Sequence, residues 1–129
     1  MRVAMLAAFV LAATAAVAQT PAPTPSAPSG PGSWLSRDTA DLLVLDKVNA
    51  KSTAVTLKVG QAADNASLSI SLRACSVRPP DQPIDSAAYL DIKDSRAGAP
   101  GFHGWMFANE PAVNMLEHPV YDVRLVACH

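Results

Sequence analysis

LSISLRAC, residues Leu68 to Cys75, alternates apolar Leu68, Ile70, Leu72 and Ala74 with Ser69, Ser71 and Arg73. A period of two sends successive side chains to opposite faces of an extended strand, so this stretch reads as a half-buried β-strand with a polar outer face. Upstream the same period continues. Val55, Leu57 and Val59 alternate with Thr56 and Lys58 as far as Gly60, and Leu42 to Val48 is an apolar run broken by Asp46-Lys47. A hairpin through Ala50 to Ser52 is expected to join these two runs.

Downstream, Arg78-Pro79-Pro80 and Asp81 to Asp85 read as a loop, because consecutive prolines cannot stay in a strand ladder. Ala88, Leu90 and Ile92 then alternate with Tyr89, Asp91 and Lys93, and Asp94 to Gly101 is a turn-rich connection. Phe102 to Ala108 reads as a strand with Gly104 at its middle, and Val120 to Ala127 as the last strand. Between them Asn109 is placed as the N-cap of a short helix from Glu110 to Glu117, with Pro111 in its first turn, Pro119 ending it, and Ala112 and Leu116 facing the core. About six strands at short spacing with one short helix predict an all-β fold, a small β-sandwich or partly open barrel, and not an α/β enzyme fold.

The ends bound where such a domain works. Residues 1–18 carry one early charge, Arg2, then an uncharged apolar run from Val3 to Val17 and the small-x-small pattern Ala16-Val17-Ala18. That is the pattern of a secretory signal peptide cleaved after Ala18, and its apolar run is shorter than the roughly 20 residues that span a bilayer. The expectation is therefore an exported, periplasmic protein with no membrane span after cleavage. Residues 19–33 hold five prolines and no charge, a composition expected to stay extended as a linker. Residues 34–129 form one domain with room for one modest core.

Removing Arg2 leaves nine basic against eleven acidic side chains and takes the formal charge from −1 to −2. With no basic cluster and no cationic amphipathic helix, nothing in the chain attracts nucleic acid or an anionic membrane. In an oxidising compartment the two cysteines, Cys75 and Cys128, are expected to form a disulfide. In the chain-entropy picture a bridge closing so long a loop is worth on the order of 4 kcal/mol.

Several blocks in fixed order carry a resemblance to a known family. They are Leu45-Asp46-Lys47-Val48, Val59-Gly60-Gln61, Arg73-Ala74-Cys75 with Arg78-Pro79-Pro80, Gly104-Trp105-Met106-Phe107-Ala108, and Leu116-Glu117-His118-Pro119-Val120-Tyr121-Asp122-Val123. Over residues 43–128 the chain closely resembles domain of unknown function family 2155, small exported proteins of alphaproteobacteria. Asn109 stands where that family is expected to carry a serine, and Arg124 where an aromatic is frequent. The resemblance implies location and domain boundaries, and it carries no established activity and no catalytic residue.

Candidate chemistry is sparse. His103, Glu117, His118 and His129 are ligand types, but their spacing matches no zinc pattern, so no metal and no other cofactor is expected. His118 is instead expected to cap carbonyls near the end of the short helix. No serine stands in a glycine-flanked elbow, and Asp91, Asp94 and Asp122, the carboxylates available for acid or base work, are expected to be solvated.

The aromatics leave two readings open. Trp105 and Phe107 share one face of a strand and Gly104 and Met106 the other, so Trp105 and Phe107 are expected first as the large core residues of a small domain. The second reading exposes them, with Trp105, Met106, Phe107, Tyr121, Arg78 and His118 as an interaction surface, Arg78 meeting an acidic partner. On these grounds the expected function is non-enzymatic: an accessory or adaptor module of the bacterial envelope that recognises a protein partner. The alternative is a binding module for glycan, peptidoglycan or another small ligand, and a metal-dependent enzyme ranks third.

Overall fold

The computed structural model describes residues 33–129. The expected signal peptide and nearly all of the expected linker lie outside the described residues. Eight strands follow one another: β1 (Leu35–Arg37), β2 (Thr39–Asp46), β3 (Lys51–Lys58), β4 (Ala62–Asn65), β5 (Leu68–Val77), β6 (Ser86–Asp94), β7 (Phe102–Phe107) and β8 (Tyr121–Cys128). They build two antiparallel sheets. One runs β1-β5-β6-β7, with β4 also paired to β5, and the other runs β3-β2-β8.

The core lies between the sheets and follows from alternation. Leu68, Ile70, Leu72, Leu90, Ile92 and Met106 point inward from the larger sheet, and Leu42, Val44, Val123 and Leu125 oppose them from the smaller. The chain passes twice between the sheets at one corner. Asp38 alone separates β1 from β2, and Gly60, at φ +89°, turns β3 into β4. A positive φ of this size suits glycine, which has no Cβ to clash. Backbone bonds lace the corner: Val59 N–H to Asp38 O at 2.8 Å, Gly60 N–H to Leu72 O at 2.8 Å and Leu72 N–H to Gln61 O at 3.0 Å. The result is a sandwich closed along one side, a partly open barrel.

Two bulges re-aim side chains. Arg73 is the extra residue where β5 slips against β6, and Val126 is the extra residue where β8 slips against β2. Across the sheets Cys75 and Cys128 stand at disulfide distance, with Cα atoms 5.8 Å apart.

The secondary structure and the core differ from the sequence reading in three places. Two additional short strands exist, β1 and β4, too brief and too polar to show a hydrophobic period. The expected helix over Glu110 to Glu117 is a single 3-10 turn, Pro111–Val113. Its chain is extended again by Asn114, whose side-chain amide donates to the Trp105 carbonyl at 2.9 Å and holds this stretch along the edge of β7. Ala112 is exposed and only Leu116 of the expected pair is buried. Asn109 caps no helix, since its backbone N–H goes to Asp85 Oδ1 at 3.1 Å and its side chain to the Ile84 carbonyl. Thirdly, Trp105 and Phe107 face outward. The core is filled from the other side of their strand, by Phe102 and Met106.

Candidate interaction surface

The outer face of the larger sheet is built by register. Tyr89 on β6 pairs with Trp105 on β7, Asp91 with His103 and Ala87 with Phe107. Because Ala88, Leu90, Phe102 and Met106 must point inward, alternation forces Tyr89, Asp91, His103, Trp105 and Phe107 outward. Trp34, just ahead of β1, completes the set.

These side chains hold one another. Tyr89 and Trp105 meet edge to face with centroids 5.4 Å apart, and Trp34 and Phe107 do so at 6.3 Å. The guanidinium of Arg78 lies 5.4 Å from the Trp34 ring centre, a cation–π contact. Ala87 and Ser76 are fully buried at this end of the face although their register points them outward. The bulky groups there are Trp34, Phe107 and Arg78.

At the other end a polar chain orients the aromatics. His103 Nδ1 lies 2.7 Å from Asp91 Oδ1, its Nε2 lies 2.8 Å from the Tyr89 hydroxyl, and Arg73 Nη2 lies 3.3 Å from Asp91 Oδ2. The hydrogen bond from His103 and, secondly, the Arg73 guanidinium hold the Asp91 carboxyl below its ordinary range despite some desolvation. Donation from Nδ1 to Asp91 leaves Nε2 to accept the Tyr89 O–H, so the phenol ring is fixed in place. The arrangement has the wiring of a base–nucleophile pair, yet it sits on an open sheet face. Surface hollows occur elsewhere, one of them lined by Asp46, Asn49, Lys51, Asn65 and Tyr121.

Of the residues singled out from sequence, Trp105, Phe107 and Arg78 belong to this face. Met106, Tyr121 and His118 do not, because all three are buried. Met106 is the inward neighbour of two outward aromatics, and Tyr121 opens β8 with its ring against His118 at 5.2 Å. The interaction surface expected from sequence does not include Tyr89, His103 or Trp34, although strict alternation around Ala88 and Leu90 already places Tyr89 on the outside.

His118 caps a strand and not a helix. Its Nδ1 accepts the N–H groups of Val120 and Tyr121, both at 3.1 Å, and its Nε2 donates to Asp94 Oδ2 at 2.9 Å. Asp94, expected to be solvated, has a fully buried side chain that also takes bonds from Arg96 at 2.6 Å and Ser67 at 3.1 Å. Arg96 foremost, with Ser67 and His118 adding, holds the Asp94 carboxyl far below the usual range against the cost of burial. Asp91 and Asp122 are likewise ion-paired, Asp122 with Arg124 at 2.9 Å.

The three histidines do not converge. His103 bonds Asp91, His118 bonds Asp94 and His129 bonds Asp41 at 3.0 Å. Among the described residues no group of three or more His, Cys, Asp or Glu side chains is placed to hold a metal ion. No helix of the described residues is long and apolar enough to cross a membrane.

Fold and face together define a small all-β domain that carries an aromatic strip on one sheet. The chain belongs to the family described as uncharacterized protein conserved in bacteria, domain of unknown function 2155, whose pattern matches residues 40–128. No curated protein and no solved structure matches it.

Proposed function

We propose that this domain is a non-enzymatic, exported accessory or adaptor module of the bacterial envelope, and that it recognises a protein partner through the outer face of its larger sheet. One observation carries the reading. Trp34, Tyr89, Trp105 and Phe107 lie on the solvent side of the sheet, while the core is mainly aliphatic and takes only Phe102 and Tyr121 of the aromatics among the described residues. Large rings fixed by edge contacts and flanked by Arg73 and Arg78 have the composition of binding hot spots, where Trp, Tyr and Arg dominate. The outer face of a sheet suits a protein surface better than a small ligand, which is held in a concavity. Export is supported by the signal-like residues 1–18 and by the cysteine pair at disulfide distance.

Trp34 and Trp105 are the chain's two tryptophans and both lie on this face, so intrinsic fluorescence reports its occupancy directly. Titration of the full-length protein with soluble peptidoglycan fragments is expected to leave the emission unchanged. A saturable shift that disappears in Trp105→Ala would replace protein recognition with glycan binding.

A further inference from the structure

The loop joining β5 to β6 holds the most exposed large apolar side chain among the described residues. Ile84 is 90% exposed, ahead of Val48 at 72% and Val113 at 63%. Folding gains nothing from a side chain that water surrounds in both the folded and the unfolded state. Its backbone is nevertheless held with unusual care.

Arg78 N–H donates to Asp85 O at 3.1 Å and closes the base of the loop, and Gln82 N–H donates to Pro79 O at 3.0 Å within it. The nearly buried Asp85 carboxylate accepts Ser86 N–H at 2.8 Å and Asn109 N–H at 3.1 Å. Asn109 gives its side-chain amide to the carbonyl of Ile84 itself. Arg78 also lies 3.9 Å from Asp85 while stacking on Trp34. Pro79, Pro80 and Pro83 fix φ at three of the six positions between Arg78 and Asp85. A segment restrained in this way has already lost the conformational entropy that docking would otherwise cost.

We infer that Ile84 is an anchor side chain that inserts into an apolar pocket of a folded protein partner, with Trp34 and Phe107 covering the flanks of that contact. The inference rests on the reading of the aromatic face as a protein-recognition surface and adds its point of attachment. β6 and β7 lead into this loop and into Asn109 from the Ala87–Phe107 row, so the anchor stands at the end of the strip that Arg78 and Trp34 occupy.

The test places a photoreactive side chain at position 84, 105 or 126 of the full-length chain in living cells, Val126 being exposed on the opposite sheet. An adduct of the same mass is expected from positions 84 and 105 and none from 126. Ile84→Asp is expected to lower the yield from position 105 by about tenfold, the loss of one hot-spot side chain. Its melting temperature should stay within a few degrees of the native value. If position 105 captures its partner equally well in Ile84→Asp, or if position 84 captures nothing while 105 does, the anchor is wrong and the aromatic face still stands. If neither position yields a discrete adduct, both fall together.

Discussion

His118 and Asp94 form a buried pair whose geometry fixes the state of each: Nε2 stands 2.9 Å from Oδ2 while Nδ1 accepts the backbone N–H groups of Val120 and Tyr121. An imidazole that accepts at Nδ1 must carry its proton on Nε2, so His118 is neutral and donates to the carboxylate. Ser67, Asp94 and His118 are the residue types of a hydrolase triad, but the serine bonds the aspartate and not the histidine. The cluster therefore holds the start of β8, with Lys47 bonding the His118 carbonyl and Arg96 lying over the Tyr121 ring. The far end of β8 is held by Cys128. Its N–H donates to Ser86 Oγ at 3.1 Å, and its sulfur is paired with Cys75.

His118→Ala removes the acceptor of two backbone N–H groups in a site closed to water. Each such loss costs about 1–3 kcal/mol, so a fall in unfolding free energy of roughly 2 kcal/mol or more is expected in urea denaturation. A change of a few tenths would show that water replaces the ring without penalty, and the holding role would be wrong.

Acid sensitivity follows from the carboxylates. Asp46, Asp91 and Asp94 are all held below the ordinary value of 3.8, chiefly by Asn49, His103 and Arg96 respectively. A carboxyl depressed in the folded state binds protons more readily in the unfolded one. Its stabilisation is thus fully present above about pH 4 and is lost as the pH falls below that value. Asp94→Asn should be less stable at neutral pH, and its melting temperature should fall less steeply than the native one between about pH 4 and pH 2. Parallel curves would assign the acid limb to other groups.

Met106 and Trp105 are neighbours in sequence and face opposite ways. Met106→Ala opens a cavity between the sheets and should cost about 2–5 kcal/mol, whereas Trp105→Ala forfeits one ring contact and should cost about 1 kcal/mol. The reverse order in chemical denaturation would return Trp105 to the core.

The contrast also marks what the sequence discloses. Strands β5 and β6 were legible because Leu68, Ile70 and Leu72 on one and Ala88, Leu90 and Ile92 on the other alternate with mostly polar side chains. In FHGWMF both faces carry large apolar groups and His103 is the one polar side chain, so alternation groups Trp105 with Phe107 and Phe102 with Met106 and leaves only His103 to hint which pair is outside. Only the opposing sheet decides that, and it offers leucine and valine to Met106. The short helix failed for a related reason. Glu110 to Glu117 has a suitable composition, but the Asn114 bond to Trp105 O holds the segment along a strand edge, a tertiary contact that no local pattern encodes. Nor does any spacing announce the Asp94–His118 pair, whose members lie 24 residues apart.

Thiol labelling of unreduced exported protein is expected to find no free sulfhydryl. Replacing Cys75 and Cys128 by serine should cost about 2–4 kcal/mol, within the range of native disulfides that close long loops. Two reactive thiols in the exported protein would remove both the bridge and a main support for an oxidising location.

The central claim, recognition of an envelope protein through the outer aromatic face, is tested most directly by crosslinking the full-length protein in intact cells and identifying what co-purifies with it. The prediction is one envelope complex, recovered with the native chain and lost in a Tyr89→Ala, Trp105→Ala double variant that still melts as a folded domain. Recovery of the same complex with both chains, or of cell-wall fragments in place of any protein, would contradict it.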